Sequence, residues 1–152
     1  MRISIVGTGY VGLVSGACLA EQGHDVVCLD IDQRKVDMIN SAQAPIHELG
    51  LPELMKRHVG KKLTASTDVR GAVLASDVTF IAVGTPAADG RIDLQFVERA
   101  AAEIGTALRD KASYHVVVVK STVIPGTTSG NRAPSSRTGF GQAGQGRISG
   151  SA

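Results

Sequence analysis

The chain predicts an α/β fold, a doubly wound parallel sheet with helices on both faces. Three observations carry that reading. From Arg2 to Val119, β-rich runs alternate with stretches of helical periodicity. The first run, Arg2–Val6 (RISIV), leads straight into Gly7, Gly9 and Gly12 in G-x-G-x-x-G spacing, with a helical stretch after it. Val78–Val83 (VTFIAV) is almost continuously apolar, as a parallel strand covered on both faces is.

In the glycine stretch each residue has its own mechanical task. Gly7 permits a tight turn, Gly9 lets a pyrophosphate approach the backbone, and Gly12 lets the helix pack close to the strand. The helix then aims its unpaired N–H groups and positive dipole end at that phosphate. Tyr10–Gln22 is that helix, with Val11, Val14 and Cys18 spaced to share its apolar face, and Gly23 stops it. Asp25–Asp30 (DVVCLD) is a buried-type strand ending in a carboxylate. Asp30 lies 18 residues beyond Gly12, near the roughly 20 expected of an acid that binds ribose hydroxyls. Its charge would repel a 2′-phosphate, which favours NAD over NADP; the plainer alternative is an acidic strand end meeting solvent.

Asp32 caps a second helix through Asn40, with Val36 and Ile39 facing the sheet. Lys35 stands off that face, near the adenosine end of a dinucleotide, where a solvated lysine is the default. Residues 42–50 read as a loop. Leu51–His58 is a short helix whose apolar side is Leu51, Leu54 and Met55.

Leu63–Ala65 is a short third strand, and Thr67-Asp68 opens a helix through Ala75. The fourth strand, Val78–Val83, ends in Gly84-Thr85-Pro86. Residues just past a carboxyl strand end face the ligand crevice of such sheets, so Thr85 reads equally as a cofactor hydroxyl or as an ordinary Thr-Pro turn. Ala87–Arg91 is a polar turn. Asp93 then caps a long helix with Leu94, Val97, Ala101, Ile104 and Leu108 in one stripe. His115–Val119 is the fifth strand, and Thr122 lies past its end as Thr85 does past the fourth. These elements predict a Rossmann-type sheet of order 3-2-1-4-5, with the crevice between the first and fourth strands and the sixth strand missing or non-native.

At 152 residues there is room for one domain with a substantial core. A net charge of +2 makes no case for nucleic acid or membrane surfaces, and 3% aromatic residues are too few for a base-stacking surface. No apolar run approaches the ~18 residues of a membrane span, and no secretory signal is apparent. Cys18 and Cys28 form neither a CxxC pair nor a disulfide framework, and both read as packing residues of a cytoplasmic protein. None of the four histidines has a metal or acid–base partner at useful spacing. From Gly130 onward the composition turns to glycine, serine, arginine and glutamine. We therefore expect a dinucleotide-binding domain at 1–129, then a disordered or non-native tail at 130–152 that arises from a frameshift or a truncated gene model.

Several motifs together resemble the nucleotide-sugar dehydrogenases, the family of UDP-glucose and GDP-mannose 6-dehydrogenases. They are GTGYVGLVSGACLAEQGHDVVCLDID at Gly7–Asp32, Lys35, PIHELGL at Pro45–Leu51, SDVTFIAVGTP at Ser76–Pro86 and KSTVIPGT at Lys120–Thr127. The resemblance implies NAD contacts at Tyr10, Val11, Asp30, Lys35, Thr85 and Thr122, beside the glycines at 7, 9 and 12. It also implies a four-electron oxidation of a sugar C6 alcohol to a carboxylate with two NAD, through a cysteine thiohemiacetal and thioester. The family's Gly-Gly-x-Cys motif and Asn-Pro-Glu-Phe-Leu stretch do not occur in this sequence. The expectation is therefore an NAD-binding domain that is inactive alone, with no catalytic residue, no metal and a nucleotide sugar bound only by a full-length enzyme. A stand-alone NAD-binding or regulatory module is the alternative. Without an outer neighbour, the fifth strand would present an apolar edge for self-association.

Overall fold

The computed structural model describes residues 1–88 and 91–123. The part of the KSTVIPGT motif beyond Val123 and the tail expected at 130–152 lie outside the described residues. Alternating apolar residues build a five-stranded parallel sheet from β1 (Arg2–Val6), β2 (Asp25–Leu29), β3 (Leu63–Ser66), β4 (Val78–Ile81) and β7 (Val116–Val119). Its order is β3-β2-β1-β4-β7, the predicted 3-2-1-4-5 winding, with the two-residue strands β5 (Ala87–Ala88) and β6 (Arg91–Ile92) outside it. All four pairings are parallel. Among the described residues β7 is an outer strand, and its four valines are half-buried.

The period of two along each strand sends side chains to two separate cores. Ile3, Ile5, Val26 and Cys28 face α1 (Tyr10–Glu21), α2 (Gln33–Asn40) and α3 (Leu51–His58), where Leu13, Val36, Ile39, Leu51 and Met55 meet them. Val6, Leu29 and Ile81 face α4 (Val69–Ala75) and α5 (Gln95–Leu108), against Val73, Val97 and Ile104. Each fully buried Leu or Ile contributes about 1.5–3 kcal/mol, so the sheet is fixed from both sides.

Helix α1 corrects one expectation. Its buried face is Gly12, Leu13, Gly16, Ala17 and Ala20, while Val11 and Cys18 are exposed. The reason is contact distance. A Cβ at Gly16 would lie 2.8 Å from the Cys28 sulfur and 3.3 Å from Ile5 Cδ1, so this face carries small residues because the helix lies almost on the sheet. Cys18 is thus no packing residue, whereas Cys28 is fully buried. The helix ends as predicted at Gly23, whose φ is +91°. The Gly23 N–H donates to Ala20 O at 3.0 Å and the His24 N–H to Leu19 O at 3.1 Å, a Schellman closure.

Two smaller differences lie around the long helix. Ala87–Ala88 (β5) and Arg91–Ile92 (β6) pair antiparallel where a polar turn was expected; the intervening sequence is Asp89-Gly90, a dipeptide that favours tight hairpins. Asp93 precedes the N-cap of α5, which is Leu94, yet its carboxylate accepts the Gln95 N–H at 2.9 Å. The buried stripe of α5 is Val97, Ala100, Ile104 and Ala107, with Leu94, Ala101 and Leu108 partly buried beside it.

A polar chain crosses the core beneath α4. Ser4 and Thr79 are opposite in register and fully buried, with hydroxyls 2.6 Å apart, and Ser4 also meets Ser76 at 2.9 Å. Thr79 lies 2.8 Å from His115 Nε2, and His115 Nδ1 lies 3.0 Å from Lys111 Nζ. An ammonium has only donors to offer, so Nδ1 accepts and Nε2–H donates to Thr79. Lys111 also donates to Val73 O at 2.7 Å and to Ser76 O, closing the end of α4.

Two predictions follow from this packing. Gly16→Ala should destabilise the fold by about 1–3 kcal/mol, whereas Cys18→Ser on the outer face should stay within about 0.5 kcal/mol. Equal urea midpoints for the two variants would contradict the assigned face. The second concerns His115, whose protonation is disfavoured first by burial and then by the Lys111 ammonium, against weaker help from Ser76 O and Asp77. Its folded pKa is lowered, so its stabilisation is complete above the unfolded value near 6.5 and is lost as pH falls from there toward the folded value. Thermal midpoints should drop from pH 7 to pH 5.5 in the parent and drop less in His115→Gln. Parallel pH profiles for the two proteins would rule this out.

Candidate functional site at the carboxyl edge of the sheet

Two positions around the turn after β1, Gly7 and Gly12, leave no room for a side chain. Gly7 has φ +105°, in the left-handed region glycine tolerates, and a Cβ there would lie 2.6 Å from Ala82 O. A Cβ at Gly12 would lie 1.9 Å from Gly7 O. Gly9 differs. Its backbone is extended, with φ −73°, and an added Cβ would meet nothing within 4 Å. The chain's own packing gives no reason for glycine at that position, and the open space fits close approach by a ligand.

Gly9 is also the N-cap of α1, and it supplies no side-chain bond; the first turn of the helix has no acidic residue. By contrast, Asp32 caps α2 by accepting the Arg34 N–H at 3.0 Å, and Asp68 caps α4 by accepting the Gly71 N–H at 2.9 Å. The end of α1 thus presents free donors and a positive dipole end, which suits an anion such as a diphosphate.

Asp30 stands beside this turn because Val6 and Leu29 are register partners, so both chains leave the sheet together. Its side chain is only 10% exposed. Oδ2 accepts the Thr8 hydroxyl and the Thr8 N–H at 3.3 Å, Oδ1 accepts the Asp32 N–H at 3.0 Å, and Lys35 Nζ lies 3.5 Å from Oδ2. Burial alone would raise the Asp30 pKa. The Thr8 and Asp32 hydrogen bonds, joined by the Lys35 charge, outweigh it and hold the carboxyl below its ordinary value. Asp30 is therefore an anion at neutral pH.

The remaining predicted residues lie along the same carboxyl edge of the sheet. Lys35 is brought to Asp30 as an ion pair. Tyr10 and Val11 are exposed on the first turn of α1, and Ile31, which sequence reasoning passed over, is exposed directly after Asp30. Thr85, half-buried, and Thr122, exposed, follow the adjacent strands β4 and β7. Ser121 ties those two strand ends together, its hydroxyl donating to Val83 O at 2.8 Å. Thr8, 1% exposed, was also missed; the register of β1 with β2 is the signal that brings it to Asp30. Neither cysteine joins the site: burial pushes the Cys28 thiol up to about 12, and Cys18 lies on the outer side of α1 about 12 Å along its axis. No group of three or more metal-ligating side chains occurs among the described residues. No helix among them is long and apolar enough to cross a membrane.

Comparison with known proteins agrees with this geometry. A family model described as the UDP-glucose/GDP-mannose dehydrogenase family, NAD binding domain, matches residues 1–141. The chain is 49% identical over 129 residues to the GDP-mannose 6-dehydrogenase of Pseudomonas savastanoi pv. phaseolicola, and 50% identical over 129 residues to the UDP-glucose 6-dehydrogenase AglM of Haloferax volcanii. Both alignments cover 84% of this chain and 30% of the relative. Among solved structures, a ternary complex of GDP-mannose dehydrogenase from Pseudomonas aeruginosa superimposes with TM-score 0.83 at 47% identity, covering 86% of this chain and 30% of that one. A UDP-glucose dehydrogenase from Pyrobaculum islandicum gives TM-score 0.80 at 45% identity, covering 84% and 30%. The chain thus spans about 30% of the length of the relatives it matches. With its glycine turn, uncapped helix and ionised Asp30 in one place, the chain belongs to the UDP-glucose/GDP-mannose dehydrogenase family and carries that family's NAD-binding domain.

Proposed function

We propose that this chain is the cofactor-holding part of a nucleotide-sugar dehydrogenase, binding NAD in preference to NADP and carrying out no turnover by itself. Bound NAD supplies a hydride acceptor; oxidising a C6 alcohol to a carboxylate removes four electrons and so consumes two of them. The chain's own residues bind and orient. The open face at Gly9 admits the diphosphate, and the free N–H groups at Tyr10, Val11 and Gly12 donate to it, with Gly7 and Gly12 fixing the turn. Asp30 accepts from the adenosine ribose, Lys35 balances its charge, and Thr85 and Thr122 offer hydroxyls at the ends of β4 and β7. Gly9 carries the reading, because no atom of the described residues comes within 4 Å of a Cβ placed there.

The absence of turnover rests on the two thiols. A nucleophilic cysteine needs access and a lowered pKa, whereas Cys28 is buried with its thiol pushed up to about 12 and Cys18 stands away from the crevice. The sugar partner, UDP-glucose or GDP-mannose, belongs in this proposal to the whole enzyme.

Gly9→Ala separates fold from function. With open space at the Cβ and an allowed φ, its stability cost should be about 1 kcal/mol or less, while calorimetry should record loss of most NAD affinity. In the parent, NAD should bind at least about tenfold more tightly than NADP, since a 2′-phosphate meets a carboxylate. Unchanged NAD binding in Gly9→Ala, or equal affinity for NADP, would remove the site. Formation of NADH with UDP-glucose or GDP-mannose would overturn the assignment of inactivity.

A further inference from the structure

Thr8 occupies the variable position of the glycine turn, yet it is almost completely buried and both its polar hydrogens go to one atom, Asp30 Oδ2. A carboxylate oxygen has about two lone-pair sites. Thr8 N–H, Thr8 hydroxyl and Lys35 ammonium, three donors, more than fill those of Oδ2, whereas among the described residues Oδ1 receives only the Asp32 N–H. Oδ1 is thus the oxygen with capacity left for a sugar hydroxyl. Of the partners on Oδ2, Lys35 is 44% exposed on a long side chain at 3.5 Å, so it can leave without disturbing the fold. Thr8 cannot, because it is part of the turn.

We propose that Thr8 is a positioning residue for cofactor selectivity. Its hydroxyl and N–H lock the Asp30 carboxylate in place beside the glycine turn, so that Asp30 reads a free ribose diol and rejects a phosphorylated one. Lys35 is the exchangeable partner that moves aside or turns to the sugar when cofactor binds. The proposal rests on the NAD-binding reading above, but its first readout needs no cofactor.

The test compares the parent chain with Thr8→Val, Thr8→Ala and Thr8→Ser. Carbon-13 NMR titration of the Asp30 carboxyl in the unliganded protein should show its pKa rising in Thr8→Val and Thr8→Ala and staying at the parental value in Thr8→Ser. With cofactor, losing one hydrogen bond to a charged group should weaken NAD by about tenfold and leave NADP nearly unchanged, so the NAD/NADP ratio falls by the same factor. Thr8→Ser should restore NAD binding to within about twofold. In the hydroxyl-free variants the pH at which NAD binding fades should move upward. A merely structural Thr8 would lower the melting temperature of Thr8→Val without moving either the titration or the ratio, and that result would overturn the proposal. So would a Thr8→Ser protein that behaves like Thr8→Val. Should the parent bind no NAD, the cofactor reading fails, and the Asp30 titration still decides the role of Thr8. Should Thr8→Val not fold, Thr8→Ala carries the comparison.

Discussion

At the turn after β1, three backbone segments meet with no room between them. Gly7 lies against the carbonyl of Ala82, and α1 begins so close to the same turn that Gly12 sits against the carbonyl of Gly7. Side chains are excluded there by distance, because backbone carbonyls cannot move aside as a flexible side chain can. This contact fixes where β1 ends, where α1 starts and how β4 passes beside β1. It continues down the helix, whose sheet-facing residues stay small through Gly16, Ala17 and Ala20. β1 and β4 are paired up to Val6 and Ile81, so these constraints converge where the two strands leave the sheet together.

Two opposite electrostatic arrangements share that edge. The start of α1 has unpaired N–H donors and no acid, whereas Asp30 is a carboxylate surrounded by donors. They do not cancel, because Thr8 and the Asp32 N–H engage the Asp30 oxygens locally. The helix end is left for an external anion. A ligand with a diphosphate and a free diol matches both halves, and a dinucleotide carries the two groups adjacent to each other.

The sequence discloses what periodicity and punctuation control. Helices α2 and α3 start and stop where their caps and apolar spacing indicate, and the sheet order follows from handed crossovers. What it hid has a common cause. In α1, apolar spacing favoured Val11, Val14 and Cys18, of which only Val14 packs against the core; apart from Leu13 the buried face carries glycine and alanine, which give almost no hydrophobic signal. Thr8 escaped notice for a related reason. Its partner is 22 residues away, and only the pairing of β1 with β2 brings them together. The Ala87–Ile92 hairpin is so short that two residues per strand leave no alternation to detect.

The residue order Gly7-Thr8-Gly9 gives the site a coupling that separate motifs would lack. Gly7 commits the chain to its turn, Gly9 opens the face above α1, and Thr8 between them reaches into the protein to hold Asp30. The glycine turn and the Asp30 carboxylate are therefore joined through Thr8, and on the proposed reading the diphosphate and ribose subsites are coupled through that one hydroxyl. A displacement of the turn would also pull the Thr8 hydroxyl off the carboxylate and remove one of the hydrogen bonds that hold the Asp30 pKa down. Far from this edge, Lys111, His115, Thr79, Ser4 and Ser76 hold the lower part of the same strands with a fully partnered polar chain. With that end fixed by hydrogen bonds and the middle by two apolar cores, the carboxyl ends of the strands start from a rigid base, which a site built on their loops needs.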